Sequence, residues 1–233
     1  MEQELHSFSS FLDYKGVSDA LSKAHEFINS KDYSRPLVIH SRLGNGKTHF
    51  LRAMVMALGC NVRNIVDVAS LNQMSGLYSW LGLNPCVDEY LCAPGYGCFV
   101  DGLELIESDF QDRLVSMVDF KWKMGHPVIV TVDSGLYDFT LSRLGLYNAK
   151  CCELGLPSVD DAARILTHLA QWEEGVLPAE VALRLFMSLE LPSMQNLIDV
   201  LRPLYSYCKF FGVAPSVNVY GFYKAGLPPV IID

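Results

Sequence analysis

The chain has 233 residues, half of them hydrophobic and 19% charged, which suits one large globular domain, or a large and a small one, rather than a disordered or fibrous chain. Every apolar stretch is broken by charge, Gly or Pro before the ~20 residues of a spanning helix, and Met1-Glu2-Gln3-Glu4-Leu5-His6 lacks a signal-peptide pattern, so a cytoplasmic protein without membrane insertion is expected. The net charge of −8 argues against a broad, non-specific grip on nucleic acid and leaves room only for a local basic patch. Seven cysteines, an odd number, indicate no disulfide framework, and Cys86, Cys92 and Cys98 recur without the close pairs or neighbouring His of a zinc site.

In chain order, short apolar runs alternate with helical stretches, the pattern of a parallel sheet covered by helices on both faces. The predicted strands are Pro36–His40, Asn64–Val68, Cys98–Asp101, Val128–Asp133 and Ala149–Leu154. Helices are predicted over Val17–Asn29, Thr48–Leu58, Ser70–Leu81 and Asp109–Met124. After Pro157 the pattern changes to three consecutive helical segments. The first opens at Ser158, a good N-cap, and carries an apolar stripe at Ala162, Ile165, Leu166 and Leu169; the others begin behind Pro178 and Pro192-Ser193. The division expected is an α/β nucleotide-binding domain over 1–155, a helical domain over 156–212 and an extended or looped tail over 213–233, rich in Pro and Gly.

The segment His40-Ser41-Arg42-Leu43-Gly44-Asn45-Gly46-Lys47-Thr48 stands between the first strand and a helix, where a P-loop belongs. Backbone N–H groups of such a loop, with the helix N-terminus, face phosphates. Lys47 supplies the cation for β/γ-phosphates and Thr48 a hydroxyl for Mg²⁺. Ser41 takes the place of the first consensus glycine and weakens the match, since Ser tolerates positive φ poorly. Asp101 ends a buried strand and suits the second Mg²⁺ contact, although alone it equally begins a turn with Gly102. The carboxylate that commonly follows such an Asp is replaced by Gly102. Glu104 is a substitute base or a surface Glu. Thr131 and Asp133, a polar pair at the end of the fourth strand, contact the nucleotide or merely close a turn.

Beyond these motifs the sequence resembles the DnaA-type AAA+ proteins of bacterial chromosome replication, and within them the short Hda-type regulators. The resemblance rests on Phe8-Ser9-Ser10-Phe11-Leu12-Asp13, similar to the segment packing by adenine, and on Gly46-Lys47-Thr48-His49-Phe50-Leu51, with His49 after the Thr. It extends over Asp101-Gly102-Leu103-Glu104, the sensor 1 strand Val130-Thr131-Val132-Asp133, and Leu136 to Gly145, the segment ending in the arginine finger. The implied fold is an AAA+ P-loop NTPase, a parallel sheet flanked by helices and followed by a small helical lid domain.

The resemblance implies that Ser41, Gly44, Asn45, Gly46, Lys47, Thr48, His49 and Asp133 hold ADP or ATP, with Mg²⁺ on Thr48 and Asp101. Arg143 becomes the finger that reaches a nucleotide on a neighbouring subunit. Gln195, in Pro192-Ser193-Met194-Gln195-Asn196-Leu197, stands where the sensor 2 arginine is expected and cannot supply its charge. The residues after the lid are too few for a helix-turn-helix, so no sequence-specific DNA binding is expected. Gln3-Glu4-Leu5-His6-Ser7-Phe8 is the candidate peptide for docking on the sliding clamp. The function implied is regulation of replication initiation: binding to a DnaA-type AAA+ protein in a homo- or hetero-oligomer and stimulation of its ATP hydrolysis, with weak or no ATPase activity of this chain's own. The alternatives are a DnaC-like helicase-loader ATPase using Glu104, and a non-hydrolysing adaptor whose P-loop is a relic.

Overall fold

A computed structural model of the chain describes residues 14–73, 97–172, 177–189 and 193–229. They fall into two units, the first containing Val17–Leu154 and the second Gly155–Asp233 together with Leu12–Gly16.

In the first unit five parallel strands, β1 (Leu37–Ser41), β2 (Ile65–Asp67), β3 (Cys98–Asp101), β4 (Val128–Asp133) and β5 (Lys150–Glu153), lie in the order β2-β3-β4-β1-β5. Each overlaps one of the five apolar runs. The register explains why those runs are continuous rather than alternating. Leu37, Ile39, Phe99 and Ile129 share one face and Val38, Val100, Val128 and Val130 the other, and all are buried. A sheet covered on both sides needs apolar residues at every position. The valine face forms one cluster with Leu114 and Val118 of α3 (Ser108–Lys123) and with Leu141 and Leu144 of α4 (Tyr137–Leu144). On the opposite face α2 (Lys47–Ala57) packs over β1, β3 and β4. The helix α1 (Lys15–Ser30) buries Val17, Ala20, Ala24 and Phe27, a stripe at helical spacing, and the Cys152 thiol donates to the Ala20 carbonyl at 3.4 Å. Residues 68–73 are helical, the start of the helix expected from Ser70; the rest of that prediction lies outside the described residues.

In the second unit α5 (Val159–Trp172), α6 (Ala179–Met187) and α7 (Met194–Phe211) are the three expected helices. Their starts follow capping chemistry. The Asp161 N–H donates to Ser158 Oγ at 3.3 Å, and the Asn196 N–H donates to Ser193 Oγ at 3.1 Å. Ile165 and Leu166 of the stripe read from the sequence are buried.

The tail expected to be extended contains a helix, α8 (Val217–Lys224). Propensity argued against it, because Val217, Val219 and Gly221 are weak helix formers. Tertiary packing overrides that preference: the Val219 N–H donates to Ser216 Oγ at 3.2 Å, and Tyr223 sets its ring edge-on to Tyr207 of α7 with centroids 5.6 Å apart. Among the described residues no helix is long and apolar enough to cross a membrane.

Within the second unit two backbone segments meet at a pair of glycines. The Gly155 N–H donates to the Gly16 carbonyl at 2.6 Å, and a Cβ built on Gly155 would stand 2.9 Å from both Gly16 Cα and its oxygen. Gly155→Ala is therefore expected to destabilise by about 1–3 kcal/mol in urea unfolding, the cost of overpacking. Gly221→Ala, where a Cβ meets open space inside α8, is expected to stabilise by about 0.5–1 kcal/mol.

Candidate nucleotide-binding site

The site grows out of one face of the sheet. Side chains two residues apart on a strand point the same way, so Ser41 continues the face of Ile39, Asp101 that of Phe99, and Thr131 and Asp133 that of Ile129. Ile39 pairs with Thr131 and Ser41 with Asp133, which sets these polar groups side by side at the carboxyl ends of β1, β3 and β4. In open α/β sheets this is the edge where ligands bind.

The loop from β1 to α2 turns on Gly44 (φ 79°) and Gly46 (φ 84°), which supply its left-handed backbone. Ser41 does not adopt the positive φ that the sequence made a concern. It is the last residue of β1, and Lys31 is the single non-glycine residue with positive φ among the described ones. No side chain caps α2 at Gly46 and no acidic residue occupies its first turn, the condition under which a helix N-terminus accepts an anion. Asn45 is buried and anchors the loop, its Nδ2 donating to the Leu154 carbonyl at 3.0 Å. Lys47 folds back on the loop, with Nζ donating to the Ser41 carbonyl at 2.9 Å and the Arg42 carbonyl at 3.4 Å and lying 3.7 Å from Asp133 Oδ2. His49 is half-buried in the first turn of α2.

Thr48 and Asp101 meet directly. Thr48 Oγ1 donates to Asp101 Oδ2 at 2.6 Å, and Thr131 Oγ1 donates to Asp101 Oδ1 at 2.5 Å. A hydroxyl and a carboxylate that close, with the loop's phosphate-facing backbone beside them, are the hard oxygen donors that suit Mg²⁺, which keeps waters and phosphate oxygens for its other positions. Thr131 also accepts from the Gly102 N–H at 2.8 Å. Its role was left open by the sequence, where its one signal is a lone hydroxyl in an otherwise aliphatic run. Asp133 does two things: Oδ1 closes the turn by accepting from the Gly135 N–H at 2.8 Å, and Oδ2 faces Lys47.

Gly102 has φ 73° and ψ 44°, a left-handed turn that carries the chain out of β3 into the short 3-10 turn Leu103–Leu105. That conformation disfavours most side chains, which accounts for the absence of a carboxylate next to Asp101. Instead the turn brings Glu104 to the site. Glu104 is half-buried, its Oε2 is buried without a hydrogen-bond partner, and Lys47 and Asp133 are the charges that act on it. Burial pushes the Glu104 carboxyl above its ordinary range, opposed by backbone N–H groups of Glu104 and Asp133 and by the Lys47 ammonium.

Arg143 is not gathered here. It sits half-buried in the last turn of α4 rather than in an exposed loop, and its Nε donates to Gln111 Oε1 of α3 at 2.5 Å. Gln195 is exposed on α7 and spends its amide on its own helix, Nε2 donating to Asp199 Oδ1 at 2.7 Å. The segments Gln3–Phe8 and Phe8–Asp13, with Cys86 and Cys92, lie outside the described residues.

No protein-family model matches the chain, and no curated protein matches it. Solved structures do. Domain III of the replication initiation protein DnaA from Thermotoga maritima aligns with a TM-score of 0.77 at 18% identity, covering 96% of this chain and 97% of that one. The Thermotoga maritima RuvB Holliday junction branch migration motor aligns at TM-score 0.65 and 15% identity, over 95% of this chain and 72% of RuvB. DnaA from Aquifex aeolicus bound to AMPPCP gives 0.68 and 15% identity, over 89% and 66%. The fold is thus the AAA+ P-loop NTPase fold of DnaA domain III and RuvB.

The raised Glu104 pKa fixes the sign of a stability effect. Its contribution is present below the ordinary carboxylate pKa of about 4.3 and is lost as pH rises through the higher folded value, so the ionised group costs stability at neutral pH. Glu104→Gln is expected to raise the thermal midpoint of the ligand-free protein at pH 7 by a few degrees, at roughly 2–4 °C per kcal/mol, and the gain should shrink towards pH 4. An unchanged or lower midpoint at pH 7 would show that the carboxylate is not strained by its surroundings.

Proposed function

We propose that this chain is a nucleotide-bound AAA+ regulator of chromosome replication initiation, of the Hda type, which docks on a DnaA-type AAA+ protein and presents Arg143 to the ATP held there. The observation that carries this reading is the placement of Arg143. Leu136, Phe139 and Arg143 are spaced three and four apart along α4 and its start, hence on one face. Leu136 is 46% and Phe139 65% exposed, apolar surface of the kind a subunit contact covers. Among the described residues Arg143 touches none of Lys47, Thr48 and Asp101.

The chain's own nucleotide, ADP or ATP, is held by the backbone of Gly44 to Thr48 and by Lys47, which exchanges its loop carbonyls for phosphate oxygens. Thr48 and Asp101 would hold Mg²⁺, which when bound neutralises charge on the β- and γ-phosphate oxygens. Gly102 in place of a carboxylate and Gln195 in place of a cation favour retention of that nucleotide over turnover. The likeness to DnaA domain III supports a partner of the same fold, because AAA+ surfaces of one shape can pair as successive subunits.

Adding the protein to ATP-loaded DnaA is expected to raise phosphate release at least ~10-fold, within the ~10³–10⁵ that a finger supplies in other P-loop systems. Arg143→Ala should abolish the rise and leave nucleotide binding by this chain intact. No stimulation by the wild type sinks the reading.

A second reading has an observation in its favour: Glu104, with its unpartnered oxygen beside Lys47 and Asp133, is disposed as a general base for an ATPase of the helicase-loader type. ATP turnover by the protein alone that is lost in Glu104→Gln, with binding to a replicative helicase, would favour it. A turnover rate indistinguishable between wild type and Glu104→Gln would remove it.

A further inference from the structure

We infer that Gln111 is the positioning residue for Arg143, holding the guanidinium by a neutral amide so that its charge and its outer N–H groups stay available to a phosphate on a neighbouring subunit; this rests on the role proposed above for Arg143. The geometry is reciprocal. Arg143 Nε donates to Gln111 Oε1 at 2.5 Å, and Gln111 Nε2 donates to the Arg143 carbonyl at 3.4 Å. One side chain of α3 therefore grips both the head and the backbone of a residue in the last turn of α4.

Three physical points give the grip its meaning. An unheld arginine samples many rotamers, and a cation that must meet a triphosphate from another chain loses that freedom on contact; a prior hold reduces what is lost. The hold is on Nε, the one N–H of the guanidinium that the fork of terminal N–H groups does not need for a bidentate phosphate contact. It is also neutral. A carboxylate at 111 would grip equally well but would pair with the cation and compete with the phosphate. Among the described residues no acidic side chain forms an ion pair with Arg143. Exposed Phe139 and Leu136 lie at helical spacing from Arg143, while the hold comes from a different helix, α3.

The role makes two claims that a packing role would not. Gln111→Met keeps the length and apolar body of the side chain and removes both hydrogen bonds. It is expected to cut the maximal stimulation of ATP hydrolysis by a DnaA-type partner about five- to thirty-fold, the factor of one or two lost contacts' worth of order, while the concentration giving half-maximal stimulation stays within about twofold. Gln111→Glu keeps the acceptor and adds a charge. It should lower stimulation to a similar degree while the Arg143 Nε–H resonance, assigned by its loss in Arg143→Lys, remains protected from exchange as in wild type. That resonance should lose its protection in Gln111→Met. Full stimulation by Gln111→Met, or an Nε–H unprotected in the wild type, overturns the role of Gln111 and leaves that of Arg143 standing. Full stimulation by Gln111→Glu overturns the claim that the hold must be neutral, and that variant carries the test should Gln111→Met fail to fold. No stimulation by the wild type overturns the function of Arg143 and the role of Gln111 with it.

Discussion

The carboxylate of Asp101 is the joint on which the site depends. It accepts one hydroxyl from the helix that follows the phosphate loop, Thr48, and one from the neighbouring strand, Thr131. Hydrogen bonds to a charged group contribute roughly 1.5–3 kcal/mol each, so the pair ties α2 to β3 and β4 more firmly than apolar packing alone. Thr131 is itself fixed by the Gly102 N–H, which means the turn leaving β3 reports on the same joint. Thr48 can go on donating its proton to Asp101 while a lone pair of the same hydroxyl is offered to a cation. Thr48 on Asp101 and Lys47 on the loop carbonyls thus belong to one hydrogen-bonded cluster.

Glu104 and Arg143 stand in contrasting situations. Glu104 carries a raised pKa and an oxygen with no partner, next to the cation of the loop, where a charge is expensive. Such a carboxylate persists where function favours it or where the turn leaves it nowhere else to go. Arg143 is the reverse: it is half-buried, and among the described residues its side-chain hydrogen bond is to a neutral amide. A cation held without an anion is a poor structural device and a good ligand for an anion that arrives from outside.

Much of the fold could be read from residues alone because its signals are redundant. The central strands β1, β3 and β4 are marked by apolar runs, because strands covered on both faces cannot hide them; the caps at Ser158 and Ser193 mark their helices for an equally local reason. The helix over Val217–Lys224 was missed: its N-cap Ser216 is as local a signal as the other two, but the weak helix formers around it hid it, and the aromatic contact with α7 is not visible in a local pattern. The positive φ feared at Ser41 is not adopted. Ser41 is the last residue of β1, and the left-handed turns of the loop fall on Gly44 and Gly46.

The site was legible in its parts and not in its wiring. Lys47, Thr48 and Asp101 announce themselves by residue type and by the strand and helix around them. Thr131 does not, because a threonine in a strand is ordinary; only the register that sets β4 beside β3 makes its hydroxyl the second donor to Asp101. Gln111 is less visible still, an amide in a helix otherwise notable for charge and aromatics, 32 residues from Arg143 in sequence. Residues of this kind act by constraining a charged group that does carry a motif, and they are found by asking of each such group what holds it in place.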